Sequence, residues 1–219
     1  MNATQQQKDY YEKYWTTGHT QFSGDNQGYA ENLRSWMRVE LRDIPNDATV
    51  LEVGCGDASF TRSLAALSSR VTAVDISASQ IERNKRAHPE IKFVQHDVAQ
   101  PFPFANEAFD VIWCSEVLEH LFDPGFAVCE MQRVLAPGGR LLVTVPYHGV
   151  IKDVLIALFK WEEHFSPTNP HIRFFTRKTL SQLAASAGFV EIKTKTCGMN
   201  KPLRDMVVAT NILMLAQKR

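Results

Sequence analysis

The sequence predicts an α/β fold built on a doubly wound, mostly parallel sheet. Three observations predict it. The apolar run Thr49–Val53 is broken by Gly54 and Gly56 and leads straight into a helical stretch. Short apolar runs then alternate with helical stretches over 49–146, the rhythm of parallel strands joined by right-handed crossovers. Asp75 ends the second apolar run 21 residues past Gly54, close to the ~20 residues that separate a glycine turn from a ribose-binding carboxylate.

Taken in order, residues 1–48 form an N-terminal flap ahead of the first strand. It is rich in aromatics: Tyr10, Tyr11, Tyr14, Trp15, Phe22, Tyr29 and Trp36. A helix starts over 9–14, the glycines and polar residues of 16–28 read as a loop, and 32–41 is an amphipathic helix with Leu33, Trp36, Met37 and Leu41 on one side. This segment either packs on the sheet or closes over a ligand, with Trp15, His19 and Phe22 excluding water.

Residues 49–219 then follow as one domain. A strand over 50–53 leads to a helix over 59–68, and a second strand over 71–74 leads to a helix over 78–87 capped by Ser77. His88-Pro89 ends that helix, because the pyrrolidine ring disfavours helix at the residue before it. A strand over 91–95 leads to Asp97, and a strand over 109–114 leads to Ser115-Glu116-Val117-Leu118-Glu119-His120. A helix over 126–135 stops at Pro137-Gly138-Gly139, before a strand over 140–145. After Pro146 the rhythm breaks. An insertion helix at about 150–163 is apolar on most sides over 150–161, well short of the ~20 residues of a membrane span. Three roles fit it: a buried insertion, a lid over an apolar acceptor, or an interfacial contact. A helix over 176–187 ends at Gly188, and strands over 189–196 and 206–217 close the chain.

With 219 residues, 44% hydrophobic content and no formal net charge, the chain suits one sizeable domain. Residues 1–13 are polar, unlike a signal peptide, and no apolar run suggests an integral membrane span. Cys55, Cys114, Cys129 and Cys197 are widely spaced with no C-x-x-C, which points to free buried thiols in a reducing, cytoplasmic setting. Charge is uneven: residues 97–130 hold seven acids and no Lys or Arg, whereas 171–204 hold seven Lys or Arg and one acid. These read as solvated faces, or as a mouth of mixed sign suited to a small-molecule acceptor. No general basic stripe marks a nucleic-acid surface, so no nucleic acid is expected as a partner. Monomer and homodimer both remain open.

The glycine turn lacks a following Gly-Lys-Ser/Thr, which excludes a phosphate loop, and Ser59 stands where a dinucleotide fingerprint needs its last glycine. Glu52 just before Gly54 disfavours a diphosphate and favours a cationic ligand. Glu52-Val53-Gly54-Cys55-Gly56-Asp57-Ala58 resembles the E-x-G-x-G-x-G signature of class I S-adenosylmethionine-dependent methyltransferases, with Ala58 in place of the last glycine and a slightly tighter contact expected there. Val74-Asp75 is similar to their ribose-binding acid. The resemblance runs from residue 49 to 219 and is silent on the methyl acceptor. It implies S-adenosylmethionine as cofactor and a seven-stranded sheet closed by an antiparallel C-terminal hairpin. It further implies that Gly54, Cys55 and Gly56 approach the cofactor and that Asp75 takes its ribose. Ile76 would pack on the adenine, and Asp97 would face the adenine amino group with the Val98 backbone nearby. Ser115 and Glu116 would lie at the mouth.

Glu116-Val117-Leu118-Glu119-His120 is similar to the Glu-x-x-Glu-His metal set of polyprenyl-quinol O-methyltransferases. The same residues recur in metal-free relatives of that group, where they cap the following loop, and no metal is expected. A hydroxyl acceptor needs a base, for which a neutral imidazole suits: His120, His148 or His171. His148 lies just past a strand's carboxyl end, where open α/β sheets bind ligands. Arg173 and Lys178 are candidates for an anionic group on the acceptor. The expected reaction is methyl transfer to a hydroxyl oxygen on a partly apolar molecule: a quinol, a lipid-linked glycan or a secondary metabolite. Methylation of an amine, a cofactor-binding regulatory subunit without turnover, and a nicotinamide-dependent dehydrogenase are the alternatives.

Overall fold

A computed structural model describes residues 3–17, 30–166, 169–198 and 209–219. Its strands are β1 (Thr49–Val53), β2 (Arg70–Asp75), β3 (Lys92–Gln95), β4 (Phe109–Ser115), β5 (Leu135–Pro146), β6 (Phe189–Cys197) and β7 (Asn211–Lys218). They form one seven-stranded sheet in the order β3-β2-β1-β4-β5-β7-β6. All neighbours are parallel except β7, which is antiparallel to both β5 and β6. The strand order reverses between β1 and β4, which opens a crevice at their carboxyl ends.

Helices cover both faces, so the central strands are buried on both sides and read as unbroken apolar runs. On one face Leu51, Ile112, Leu141 and Met131 share a core; on the other Val50, Trp113 and Leu142 meet Leu33, Trp36 and Met37. The last three belong to α2 (Ala30–Glu40), whose apolar stripe presses the Trp36 ring to 5.8 Å from that of Trp113. The other described helices are α1 (Ala3–Thr16), α3 (Ser59–Ala65), α4 (Ala78–Ala87), α5 (Pro124–Val134), α6 (Val150–Phe159), α7 (Trp161–His164) and α8 (Arg177–Ser186).

Several boundaries differ from the sequence reading for local reasons. The helix expected over 9–14 runs the full length of α1. α5 begins two residues early, because Asp123 accepts the Phe126 N–H (3.0 Å) and Pro124 takes the first turn, where its missing donor costs nothing. β5 starts directly at Leu135, so Pro137-Gly138-Gly139 lie within an irregular strand entry rather than a loop. Ser77 caps α4 as expected, accepting from the Gln80 N–H. The free cysteines include exposed Cys129, contrary to the expectation of burial for all four. The buried-insertion reading of α6 is overturned: none of its residues is buried. Residues 206–208, expected to start the last strand, lie outside the described residues, as do His19 and Phe22. No helix among the described residues is long and apolar enough to cross a membrane.

Replacing Trp36 with alanine strips α2 of its anchor on Trp113. Urea unfolding is expected to show a loss of about 3–5 kcal/mol at an unchanged slope, the usual cost of emptying a buried tryptophan site.

Candidate active site

The carboxyl ends of the central strands open into a cavity of about 720 Å³. Its floor is the glycine turn. Gly54 and Gly56 adopt left-handed backbone (φ 76° and 48°), which glycine takes without steric cost. A side chain on Gly54 would collide with Val117, and one on Gly56 would press on the Trp15 ring. The N–H groups of Gly54 and Cys55 both donate to the Val74 carbonyl (2.9 Å each), curling the turn back onto β2. Ala58 is also left-handed (φ 62°) and fully buried, so what distinguishes it from the usual glycine is backbone strain rather than the slightly tighter ligand contact expected.

Asp75 holds this turn in place. Its two oxygens accept from the Gly56 N–H (2.9 Å) and the Ser77 N–H (3.0 Å). Burial raises its carboxyl above the ordinary range, and those two backbone donors oppose the rise. Asp97 accepts the Ala99 N–H (2.9 Å) with one oxygen, while the other is buried with no hydrogen-bond partner among the described residues. An orphaned buried acceptor on the cavity wall suits a donor such as an adenine amino group. Cys55, Ile76 and Val98 also line the cavity. So does Ser115, whose hydroxyl donates to Thr144 (2.7 Å), because the Thr144 proton goes on to Glu116 (2.8 Å).

One expectation for this set changes. Glu52 does not line the cavity. It turns behind the glycine turn and accepts the Thr61 hydroxyl, and burial pushes its carboxyl up to about 8. It is therefore largely protonated at neutral pH and offers no negative charge to a cationic ligand. Glu116 reaches the wall as expected; its backbone is left-handed (φ 55°), and one carboxylate oxygen accepts from Thr144 and Asn211 (2.8 Å each).

α1 covers the crevice with Gln7, Tyr10, Tyr11 and Trp15. Glu12 latches it down, accepting at the start of α4 from the Ala78 N–H (2.5 Å) and the Ser77 hydroxyl (3.1 Å). Burial works against the charge, but hydrogen bonds from Ser79, Ala78 and Ser77 keep the Glu12 carboxyl below its usual range. The Gln7 side chain donates to the His120 carbonyl. The helical spacing of Tyr11 and Trp15 was a visible signal for a covering face. Nothing in the sequence marked the Glu12 latch.

The catalytic candidates separate. His148 does not line the cavity. The backbone past Pro146 stays tied to Thr210 and Phe175, and the ring tucks under α6 with Nδ1 3.0 Å from Asp153. Arg173 donates to the Leu121 and Phe122 carbonyls, and Lys178 sits on the outer surface; neither lines the cavity. His120 and His171 do line it, with ring centroids 4.8 Å apart. The Pro170 carbonyl lies 3.1 Å from His120 Nδ1, so that nitrogen carries the proton and Nε2 the lone pair. Burial lowers His120 to about 4, helped by His171; burial likewise lowers His171 to about 4, helped by His148 and His164. Both imidazoles are neutral at physiological pH.

Beside them stands Glu119, which the sequence marked only as part of a metal or capping set. It is fully buried, and neither carboxyl oxygen has a hydrogen-bond partner among the described residues. Burial, then the neighbouring Glu116, drive its carboxyl well above the ordinary range. The His120 Nε2 lies 3.7 Å away, too far for a hydrogen bond, and with the imidazole neutral this is no ion pair. Among the described residues, the cluster able to hold a cation is thus Glu119, His120 and His171, with ligand atoms within 4.8 Å, rather than Glu116, Glu119 and His120.

This geometry meets its counterparts among known proteins. Residues 51–143 match the family described as a methyltransferase domain. A Mycobacterium tuberculosis protein named "Probable S-adenosylmethionine-dependent methyltransferase" is 31% identical over 185 residues, 83% of this chain and 62% of the relative. A ubiquinone biosynthesis O-methyltransferase of Xanthomonas axonopodis pv. citri is 36% identical over 111 residues, 48% of this chain and 46% of the relative. The crystal structure of the Burkholderia thailandensis 1,6-didemethyltoxoflavin-N1-methyltransferase, with bound 1,6-didemethyltoxoflavin and S-adenosylhomocysteine, superposes with a TM-score of 0.72 at 18% identity, covering 100% of this chain and 91% of that one. The chain carries a class I S-adenosylmethionine-dependent methyltransferase domain, and S-adenosylmethionine is the cofactor that domain takes. It spans less than two thirds of the length of both curated relatives.

Changing Asp75 to asparagine removes the charge that holds the turn. Calorimetric titration with S-adenosylmethionine is expected to show affinity reduced about 10- to 100-fold, in line with one or two charge-assisted hydrogen bonds. Glu52 supplies a pH signature. Its pKa rises from the ordinary carboxyl range in the unfolded chain to about 8 in the fold, so the folded state holds the extra proton. Its contribution is complete below the unfolded value and is lost as pH rises through about 8. Melting curves of Glu52→Gln should therefore gain on wild type as pH increases across that window.

Proposed function

We propose that the protein transfers a methyl group from S-adenosylmethionine to a hydroxyl oxygen on a partly apolar small molecule, such as a quinol, a lipid-linked glycan or a secondary metabolite. Glu119 carries the reading: a fully buried carboxyl with both oxygens unused, on the wall of the cavity that holds Asp75 and Asp97. A hydroxyl acceptor must lose a proton during attack, and a buried acid beside a neutral imidazole is suited to receive it. Tyr10, Tyr11, Leu33, Phe60 and Val117 give the same cavity an apolar lining. The Xanthomonas O-methyltransferase likeness adds support.

S-adenosylmethionine supplies a methyl already activated on a sulfonium. The chain's task is to align the acceptor and keep it dry. Asp75, Asp97 and the glycine turn would hold the cofactor, and residues 1–48 would act as a flap that excludes water over the 49–219 domain. Glu119 ionises more readily once a cation shares the cavity, since an opposite charge favours the ionised carboxyl. It then takes the hydroxyl proton, while the neutral His120 imidazole, its Nδ1 proton held by the Pro170 carbonyl, lines the cavity beside it. His148, outside the cavity, has no direct part.

A second reading is favoured by the same unused oxygens. Glu119, His120 and His171 would hold a divalent cation, an acid and two neutral imidazoles being a suitable donor set. Such an ion would lower the pKa of a bound hydroxyl.

The test is an acceptor screen read by product mass. Glu119→Gln is expected to lower kcat by about 10²–10⁴ while leaving cofactor affinity intact. Loss of wild-type turnover on chelation, restored by a divalent ion, selects the metal reading. Unchanged kcat in Glu119→Gln overturns both and points to an amine, whose attack needs little base help. Cofactor binding without turnover on any acceptor favours a regulatory subunit.

A further inference from the structure

We propose that α6 and α7 dock the protein on the surface of an anionic phospholipid bilayer, so that the cavity receives its acceptor from the lipid. The α6 helix buries no residue, although it is almost wholly apolar. Val150 is 83% exposed, Leu158 69%, Phe159 78% and Trp161 59%. The ridge continues through Phe165, 4.7 Å from the Trp161 ring, to Phe174, 5.9 Å further on. Isolated exposed apolar residues are ordinary, but a contiguous ridge marks an interaction surface.

Three features favour a lipid surface as the occupant. First, the helix is apolar around most of its circumference, whereas a protein groove reads a single stripe. Second, the ridge combines aromatic rings with cations exposed in the same stretches of chain: Lys160 between α6 and α7, Arg173 next to Phe174 in sequence, and Arg177 and Lys178 in the first turn of α8. That pairing matches the bilayer interface, where rings sit at headgroup depth and cations meet anionic lipid. Asp153 of α6 faces His148, and Glu162 of α7 lines the cavity. Third, the ridge is continuous with the cavity. Glu162, Ser166, Asn169 and His171 line the cavity, while Trp161 and Phe165 of the same segment are exposed on the ridge. One short segment is therefore both the wall of the site and the face offered to lipid. That the lipid supplies the acceptor rests on the apolar-acceptor reading above; the docking does not.

The structure supplies its own probe. Trp15, Trp36 and Trp113 are buried, so an emission change on adding vesicles reports Trp161. The full chain is mixed with phosphatidylcholine vesicles with and without phosphatidylglycerol, and read by co-sedimentation and tryptophan emission. The expected result is sedimentation with the phosphatidylglycerol vesicles and a blue shift. Phe159→Glu, at an exposed site, should weaken partitioning more than tenfold while S-adenosylmethionine titration stays as in wild type. Intact cofactor binding in both proteins separates failure of docking from failure of the methyltransferase reading. The proposal is overturned if wild type stays in the supernatant, if phosphatidylglycerol makes no difference, or if Phe159→Glu binds like wild type. It is also overturned if Phe159→Glu dissolves a dimer seen by light scattering, because the ridge would then be covered by a second copy.

Discussion

The site depends on one buried carboxylate. Asp75 binds the Gly56 N–H on one side and the Ser77 N–H on the other. It thereby ties the turn after β1 to the start of α4, while the Val74 carbonyl beside it takes two more N–H groups from that turn. A buried charge is costly unless donors meet it, and here the backbone meets it. The left-handed glycines follow, since only that conformation aims the turn's N–H groups back at β2. Through Ser77 the same knot reaches Glu12, and so the helix that covers the cavity.

Three buried acids around this knot meet different fates. Glu52 settles its burial by staying protonated against Thr61, and so works as a brace between β1 and α3. Asp75 is met by backbone donors. Glu119 is raised by burial as Glu52 is, but its oxygens find no hydrogen-bond partner among the described residues. A fold tolerates such a group where a ligand, a proton in transit or a cation completes it. Glu52 and Glu119 are both buried and both raised, but only Glu52 has a partner, the Thr61 hydroxyl, and on the proposed reading that difference separates a structural carboxyl from a chemical one.

Much of the frame was legible because it rests on local rules. The Ser77 cap, the Pro89 stop and the strand at 49–53 follow from interactions within a few residues. Asp75 and Asp97 were legible because a parallel strand delivers its last residue to the same edge each time. His148 met the same rule and still missed the cavity. Whether a residue just past a strand faces the crevice depends on how the chain leaves, and here Thr210, Phe175 and Asp153 draw it under α6. The meeting of His171 with Glu119 was not legible at all, because 52 residues of chain separate them and the Glu119 carbonyl secures that loop through the Ile172 N–H.

By itself the sequence determined the alternation of strands and helices, the glycine turn and the acids that end β2 and follow β3. These follow from periodicity, backbone freedom and spacing, which act over short stretches. The tertiary structure decided which acids keep a charge, which histidines reach the cavity and which apolar helix stays uncovered. Burial and partnership set those outcomes, and both are properties of distant segments brought together.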